Sequence, residues 1–275
     1  MFTETLAWLW DGVVSPVLNA VPGRDPDRPT RLWWLPMGLI GSLPLHAAGH
    51  PGRPGALDHC VSSYVPTLRA LAHARNRPTA GERRQLVVAL EHTPGLGDLP
   101  GTTAESEALH TARPDLPLLD DNRATTEAVL THLGRSTWCH FACHAVQDAR
   151  SPSRSALALH DRPLTAARIS RLRMESAELA YLSACSTAYS GPQLPDESIH
   201  LSSAFHLAGF KHVIAGLWPL GDSFAAVAAK RFYLGLPDSP DAGRAAYVLN
   251  AVVRELRDEQ PARPDLWASL VHSGP

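Results

Sequence analysis

Short apolar runs alternate with amphipathic stretches along most of the chain. QLVVALE (85–91), STWCHFA (136–142), AELAYLS (177–183) and KHVIAGLW (211–218) are each apolar for most of their length and are bounded by polar or turn-forming residues. Runs of this length read as strands buried on both faces of a parallel sheet. RLWWLPMGLIGSLPLHA (31–47) gives a further strand, a turn at Pro36–Gly38 and a second short apolar piece. Helical spacing appears over 64–76, 103–112, 124–134, 198–209, 224–235 and from Asp241 to about Asp258. Thr102 or Thr103, Asp222 or Ser223, and Asp241 are the expected N-caps, and Gly209 the expected C-cap. Helices alternating with apolar strands predict an α/β sandwich whose mainly parallel sheet is flanked by helices.

The first 22 residues form an amphipathic pattern that Pro16 interrupts, and the proline-rich connector PGRDPDRPT (22–30) follows it. We therefore expect residues 1–29 to be a helix and connector packing on a domain of residues 30–275. HPGRPGALDHC (50–60) reads as a loop or lid. No apolar window reaches the ~18 residues of a membrane span. The polar face of the first helix lacks the Lys and Arg of a membrane-surface helix, so no membrane partner is expected.

Composition narrows the class. The chain has 275 residues, 44% hydrophobic and 19% charged, with a formal net charge of −2. That length suits one large domain. The near-neutral charge and scattered Arg residues give no basic face for nucleic acid. Cys60, Cys139, Cys143 and Cys185 are even in number. The N-terminal segment has no basic n-region or small-residue cleavage site, so a reducing cytoplasm is expected for them.

The chemistry concentrates in two motifs, HFACHA (140–145) and YLSACST (181–187). Each places a residue suited to nucleophilic catalysis at the C-terminal end of an apolar run: His144 in the first, Cys185 in the second, 41 positions later. Chemistry in open α/β sheets gathers at the carboxyl ends of strands, and an imidazole beside a thiol is the minimum for a cysteine nucleophile with its base. Alternation places Trp138, His140, Ala142 and His144 on one face of the strand and Cys139, Phe141 and Cys143 on the other. His140 therefore lies deeper than His144, as a structural or supporting residue. No Asp or Asn stands out to orient His144, a task a backbone carbonyl can perform. The Cys and His residues of CHFACH point to opposite faces and no C-x2-C pair exists, so no metal is expected. Ser183 has no G-x-S-x-G elbow, and no phosphate or dinucleotide fingerprint is present, so no cofactor is expected.

These motifs resemble the CHAT family, caspase-like peptidase domains often found behind helical tandem repeats. The resemblance extends through LWWLPMGLIGSLPLHAAG (32–49), YVPTL (64–68), LPGTTAESEAL (99–109), LALHDRPLTAARISRL (157–172) and DESIHLSSAFHLAGFKHVIAGLWPLGD (196–222). Two positions depart from the family pattern: Ala145 replaces the usual Gly after the His, and Ser186–Thr187 replaces Glu-Thr after the Cys. The resemblance implies a caspase-like three-layer sandwich and an intracellular, bacterial cysteine endopeptidase. In that reading Cys185 attacks a protein substrate, His144 is the acid–base group, and the backbone N–H groups of Ala145 and Cys185 hold the oxyanion. It further implies a regulatory partner or sensor module. GLWPLGD resembles the separase stretch in which an Asp lines the specificity pocket. Trp218 is then a wall of that pocket and Asp222 its charged floor, with Asp196 and Glu197 as competing acids and cleavage after a basic residue expected. The other reading is a catalytically silent interaction module on the same fold.

Overall fold

A computed structural model describes all residues except 23, 24, 26, 27, 113, 114, 147, 149, 150, 184–196 and 238–240. In chain order its elements begin with helices α1 (Phe2–Leu9) and α2 (Ser15–Ala20), strand β1 (Thr30–Trp34), helix α3 (Ala56–His59), strand β2 (Cys60–Tyr64) and helix α4 (Leu68–Asn76). Then come β3 (Gln85–Ala89), α5 (Pro100–Ala112), β4 (Leu118–Asp120), α6 (Thr126–Leu133) and β5 (Trp138–Ala142). The short strands β6 (Ala145–Val146), β7 (Ala156–Leu157) and β8 (Leu164–Thr165) follow, with α7 (Ala166–Ile169). The chain continues with β9 (Leu179–Leu182), α8 (Glu197–Ala208), β10 (His212–Gly216), α9 (Asp222–Gly235), α10 (Ala245–Glu259), α11 (Pro264–Trp267) and β11 (Leu270–Ser273).

Eight strands form one sheet in the order β1-β2-β11-β10-β9-β5-β3-β4. β11 runs antiparallel to β10; the other neighbours pair in parallel. The period-2 alternation of β5 and β9 sends side chains into two separate cores. On one face Trp138, Tyr181 and Ile214 pack against α1, α9 and α10 through Leu9, Phe232 and Val253. On the other, Cys139, Phe141 and Val213 pack against α6, α7 and α8 through Leu133, Ile169 and Phe205. The result is the expected three-layer, mainly parallel sandwich. Among the described residues no helix is long and apolar enough to cross a membrane.

The N-terminal segment is helical on both sides of Pro16, while several other local readings need correction. A π-helical turn over Trp10–Val14 leads into α2, and Pro16 lies in the first turn of α2, where a missing N–H is tolerated. The segment 50–60 contains α3 and runs straight into β2. α5 starts at Pro100, so Thr102 lies inside the helix and its hydroxyl donates to the Leu99 carbonyl at 2.8 Å. Asp241 does cap, accepting from the Gly243 amide at 2.9 Å, and Gly209 ends α8 at φ +125°.

Candidate active site at the carboxyl end of the sheet

β5 and β9 lie side by side in parallel, with Trp138 opposite Leu179 and Phe141 opposite Leu182. Just beyond β5, His144 is buried at 1% exposure. Its Nε2 lies 2.6 Å from the carbonyl of Gly97. A carbonyl only accepts, so Nε2 carries the proton and Nδ1 holds the lone pair in the neutral ring. The orienting partner is thus a backbone oxygen in the loop between β3 and α5. That loop is closed by the Leu99 amide on the Glu91 carbonyl at 2.9 Å and the Leu96 amide on the Thr93 carbonyl at 3.0 Å. No side chain announces Gly97, so residue types alone could not find it.

Ala145 follows in β6. The Ala158 amide donates to the His144 carbonyl at 2.8 Å, and Ala145 faces Leu157. This register makes Ala145–Leu157 a non-hydrogen-bonded pair of the antiparallel ladder. The Ala145 N–H therefore points away from β7 and is not consumed by it.

His140 lies two pleat repeats deeper, fully buried. Its ring stacks on Tyr181 at 5.1 Å between centroids, and its Nδ1 is 3.1 Å from the Tyr233 hydroxyl. Its Nε2 lies 3.0 Å from Oε1 of Glu105, itself only 2% exposed. The two atoms are at ion-pair distance but out of line for a directed hydrogen bond. The other oxygen of Glu105 accepts from the Ser183 hydroxyl at 3.0 Å. Sequence reasoning passed over Glu105 and Tyr233, and weighed Ser183 only as a nucleophile. With Thr102 or Thr103 as N-cap, Glu105 falls in the first turn; α5 begins earlier, leaving Glu105 in its second turn.

α5 and α9 both begin at this end of the sheet. Gly221 is the N-cap of α9 and Asp222 its first residue, with no side-chain cap bond of its own. The Asp222 carboxylate instead accepts from the Gly101 amide near the start of α5. It thus satisfies an orphan amide of the neighbouring helix rather than its own, and sits where both helix dipoles favour an anion. A Cβ on Gly101 would lie 2.6 Å from that carboxylate, so this contact demands glycine. Trp218 donates from Nε1 to the Asp265 carbonyl at 2.7 Å. With Tyr181, Ser183, Gly216 and Leu220 it lines a small cavity of about 10 Å³, at the lower limit for one water. Cys185, Ser186, Thr187 and Asp196 lie outside the described residues. Glu197 is the first residue of α8.

Cys139 and Cys143 are buried and unbridged on the far face of β5, and burial pushes the Cys139 thiol well above its ordinary pKa. Among the described residues no three His, Cys, Asp or Glu side chains converge on a metal position. Replacing both cysteines by Ala should cost on the order of 1 kcal/mol each in lost packing and leave turnover per folded molecule unchanged. Chemical denaturation beside active-site-titrated kinetics checks this; loss of stoichiometric zinc in the double variant would overturn it.

Two solved structures share the architecture. The separase of the Saccharomyces cerevisiae separase–securin complex superposes over 85% of this chain with a TM-score of 0.57 at 16% identity. The chain spans only 14% of that separase. The complex of the Porphyromonas gingivalis RgpB pro- and mature domains superposes over 99% of this chain and 75% of its own, with a TM-score of 0.58 at 12% identity. At such identities the likeness is one of fold, the caspase-like sandwich. No curated protein sequence matches the chain significantly. The sequence matches the CHAT domain over residues 3–275, and the chain belongs to that family.

Proposed function

We propose that this chain is a cysteine endopeptidase in which Cys185 attacks a peptide carbonyl and His144 moves the protons. The observation that carries the reading is the register of β5 and β9. Trp138 faces Leu179, 41 positions on, and the same number of positions separates His144 from Cys185 in the sequence. Nδ1 of His144, its proton-free nitrogen, is the atom that takes the thiol proton and returns it to the leaving amine. The Ala145 amide, turned away from β7, and the Cys185 amide are the oxyanion donors, one of which is typically worth roughly 3–4 kcal/mol of barrier.

The test is alkylation of the folded protein with iodoacetamide or a peptidyl acyloxymethyl ketone, followed by peptide mapping. Cys60, Cys139 and Cys143 are buried and serve as internal controls. Selective modification at Cys185 is the expected result. An unmodified Cys185 would favour the interaction-module reading instead.

For specificity, Asp222 is the proposed selecting charge. A carboxylate offers about four acceptor sites, so the Gly101 amide leaves capacity for a guanidinium, which binds bidentately. Asp222→Ala should lower kcat/KM for substrates with Arg or Lys before the scissile bond far more than for uncharged ones. Leaving the buried cation unpaired costs roughly 3–5 kcal/mol. A peptide-library profile of both proteins, corrected for folded fraction, decides it. If the variant keeps a basic preference, Asp222 only joins α9 to α5, and Asp196 and Glu197 become the acids to examine. Separase was solved with securin and RgpB with its pro-domain; a regulatory protein partner is the corresponding proposal here.

A further inference from the structure

Among the described residues two close acid–base pairs are buried, and only one is explained by holding the sheet together. At the amino end, Lys211 and Glu178 meet at 3.1 Å just before β10 and β9. The Glu178 carboxylate accepts from the Ala80 amide at 2.7 Å, and Lys211 donates to the Pro78 carbonyl at 2.7 Å. That pair pins a connecting loop to the strand starts, which is a structural task. Glu105 and His140 lie elsewhere. Glu105 reaches from α5, His140 from β5, and Ser183 comes from the carboxyl end of β9; Tyr233 of α9 closes the cluster behind the imidazole. Burying a carboxylate is costly unless its oxygens are matched. Here one oxygen is spent on a single hydroxyl at the end of one strand.

That hydroxyl's position gives the arrangement its meaning. Ser183 stands two residues before Cys185, and strand periodicity puts residues i and i+2 on one face. Here β9 is still tied to β5, the Ser183 amide donating to the Phe141 carbonyl at 2.8 Å. A hydrogen bond from Ser183 to a carboxylate anchored by β5 and α5 sets the rotation of the last strand residues.

We propose that Glu105, backed by His140 and gripping Ser183, is a positioning residue that aims Cys185 toward His144. This rests on the peptidase reading above. Glu105 does not touch substrate; it acts through the backbone of 183–185, and Glu107, two residues on, is exposed and cannot replace it.

The experiment measures peptide cleavage and the rate of Cys185 alkylation in wild type, Ser183→Ala, Glu105→Ala, Glu105→Gln and the Ser183→Ala/Glu105→Ala double variant. Melting curves set the folded fraction. Ser183→Ala removes one hydroxyl and leaves Glu105 and the core in place, so it keeps the test valid if Glu105→Ala fails to fold. We expect Ser183→Ala and Glu105→Ala each to lose about tenfold in kcat with KM within about twofold. The double variant should be no slower than Glu105→Ala alone, because both remove one interaction. Glu105→Gln, whose amide oxygen still accepts from Ser183, should recover most of the loss. Wild-type kcat in Ser183→Ala, or losses that multiply in the double variant, overturn the proposal while the peptidase reading stands. A wild-type protein that neither cleaves peptides nor is alkylated at Cys185 overturns both.

Discussion

A Cys185→Ala protein should cleave no peptide and melt within a few degrees of the wild type. In the proposed mechanism the thiol is the nucleophile, and replacing one small side chain by another removes little volume. His144→Ala should lose at least about 100-fold in kcat/KM, the usual scale for a general base. It should also be less stable, since His144 is buried and hydrogen-bonded to Gly97, so its rates must be normalised to folded protein. The two losses should not multiply. Without the nucleophile the base has nothing to activate, and the double variant should match Cys185→Ala within error. Full activity in Cys185→Ala would sink the cysteine-peptidase reading. A His144→Ala protein retaining its rate would mean that another group takes the proton, and His140, fully buried against Glu105 and Tyr233, is poorly placed for it.

The strands that carry this chemistry were readable because they are buried on both faces and therefore nearly continuously apolar: β3, β5, β9 and β10 each lie inside a recognised run. β2 escaped because CVSSY looks polar. Its serines are buried as hydrogen-bond partners, Ser62 accepting from Trp34 Nε1 at 2.9 Å and Ser63 meeting the His272 ring. β11 escaped for the same reason: LVHS carries that histidine and Ser273, whose hydroxyl donates to the Tyr64 carbonyl at 2.9 Å. Polar residues satisfied across strands imitate loop composition. The site divides along a similar line. The motif ends pointed to His144 because its residue type and strand position agree. Gly97 acts through a backbone oxygen, and Glu105 differs from exposed Glu107 only in which side of α5 it occupies, a distinction that needs the true helix start.

The cluster that hid β2 and β11 also predicts a steep acid sensitivity. His212 Nδ1 lies 3.0 Å from His272 Nε2. His206 is held by the Phe210 carbonyl at 2.9 Å and Ser273 Oγ at 2.8 Å. His46 sits 3.2 Å from the Tyr64 hydroxyl. Burial pulls His46 and His212 down to about 3 and His206 to about 4, and takes His272 well below its ordinary value. Arg31 and Lys211 add repulsion at His212, and Arg31 does so at His272. Native histidines thus stay neutral where unfolded ones, near pH 6.5, take up protons. The unfolded state then binds more protons, so stability rises with pH through this window and falls as pH drops from about 6.5 toward 4. Each histidine contributes up to about 1.4 kcal/mol per pH unit, or roughly 2 kcal/mol at pH 5, against a total of only 5–15 kcal/mol for a typical domain. Carboxylates held below their ordinary value, such as Asp58 beside Arg257, lose their contribution only at lower pH, so the two effects separate. Urea midpoints at pH 7.5, 6.0 and 5.0 should fall steadily, with the protein largely unfolded before pH 4. His46→Asn removes one titrating group away from β5 and β9 and should flatten the slope by about 1.4 kcal/mol per pH unit. Equal midpoints at pH 7.5 and 5.0 would mean that these rings are protonated in the folded protein and that their burial carries no such penalty.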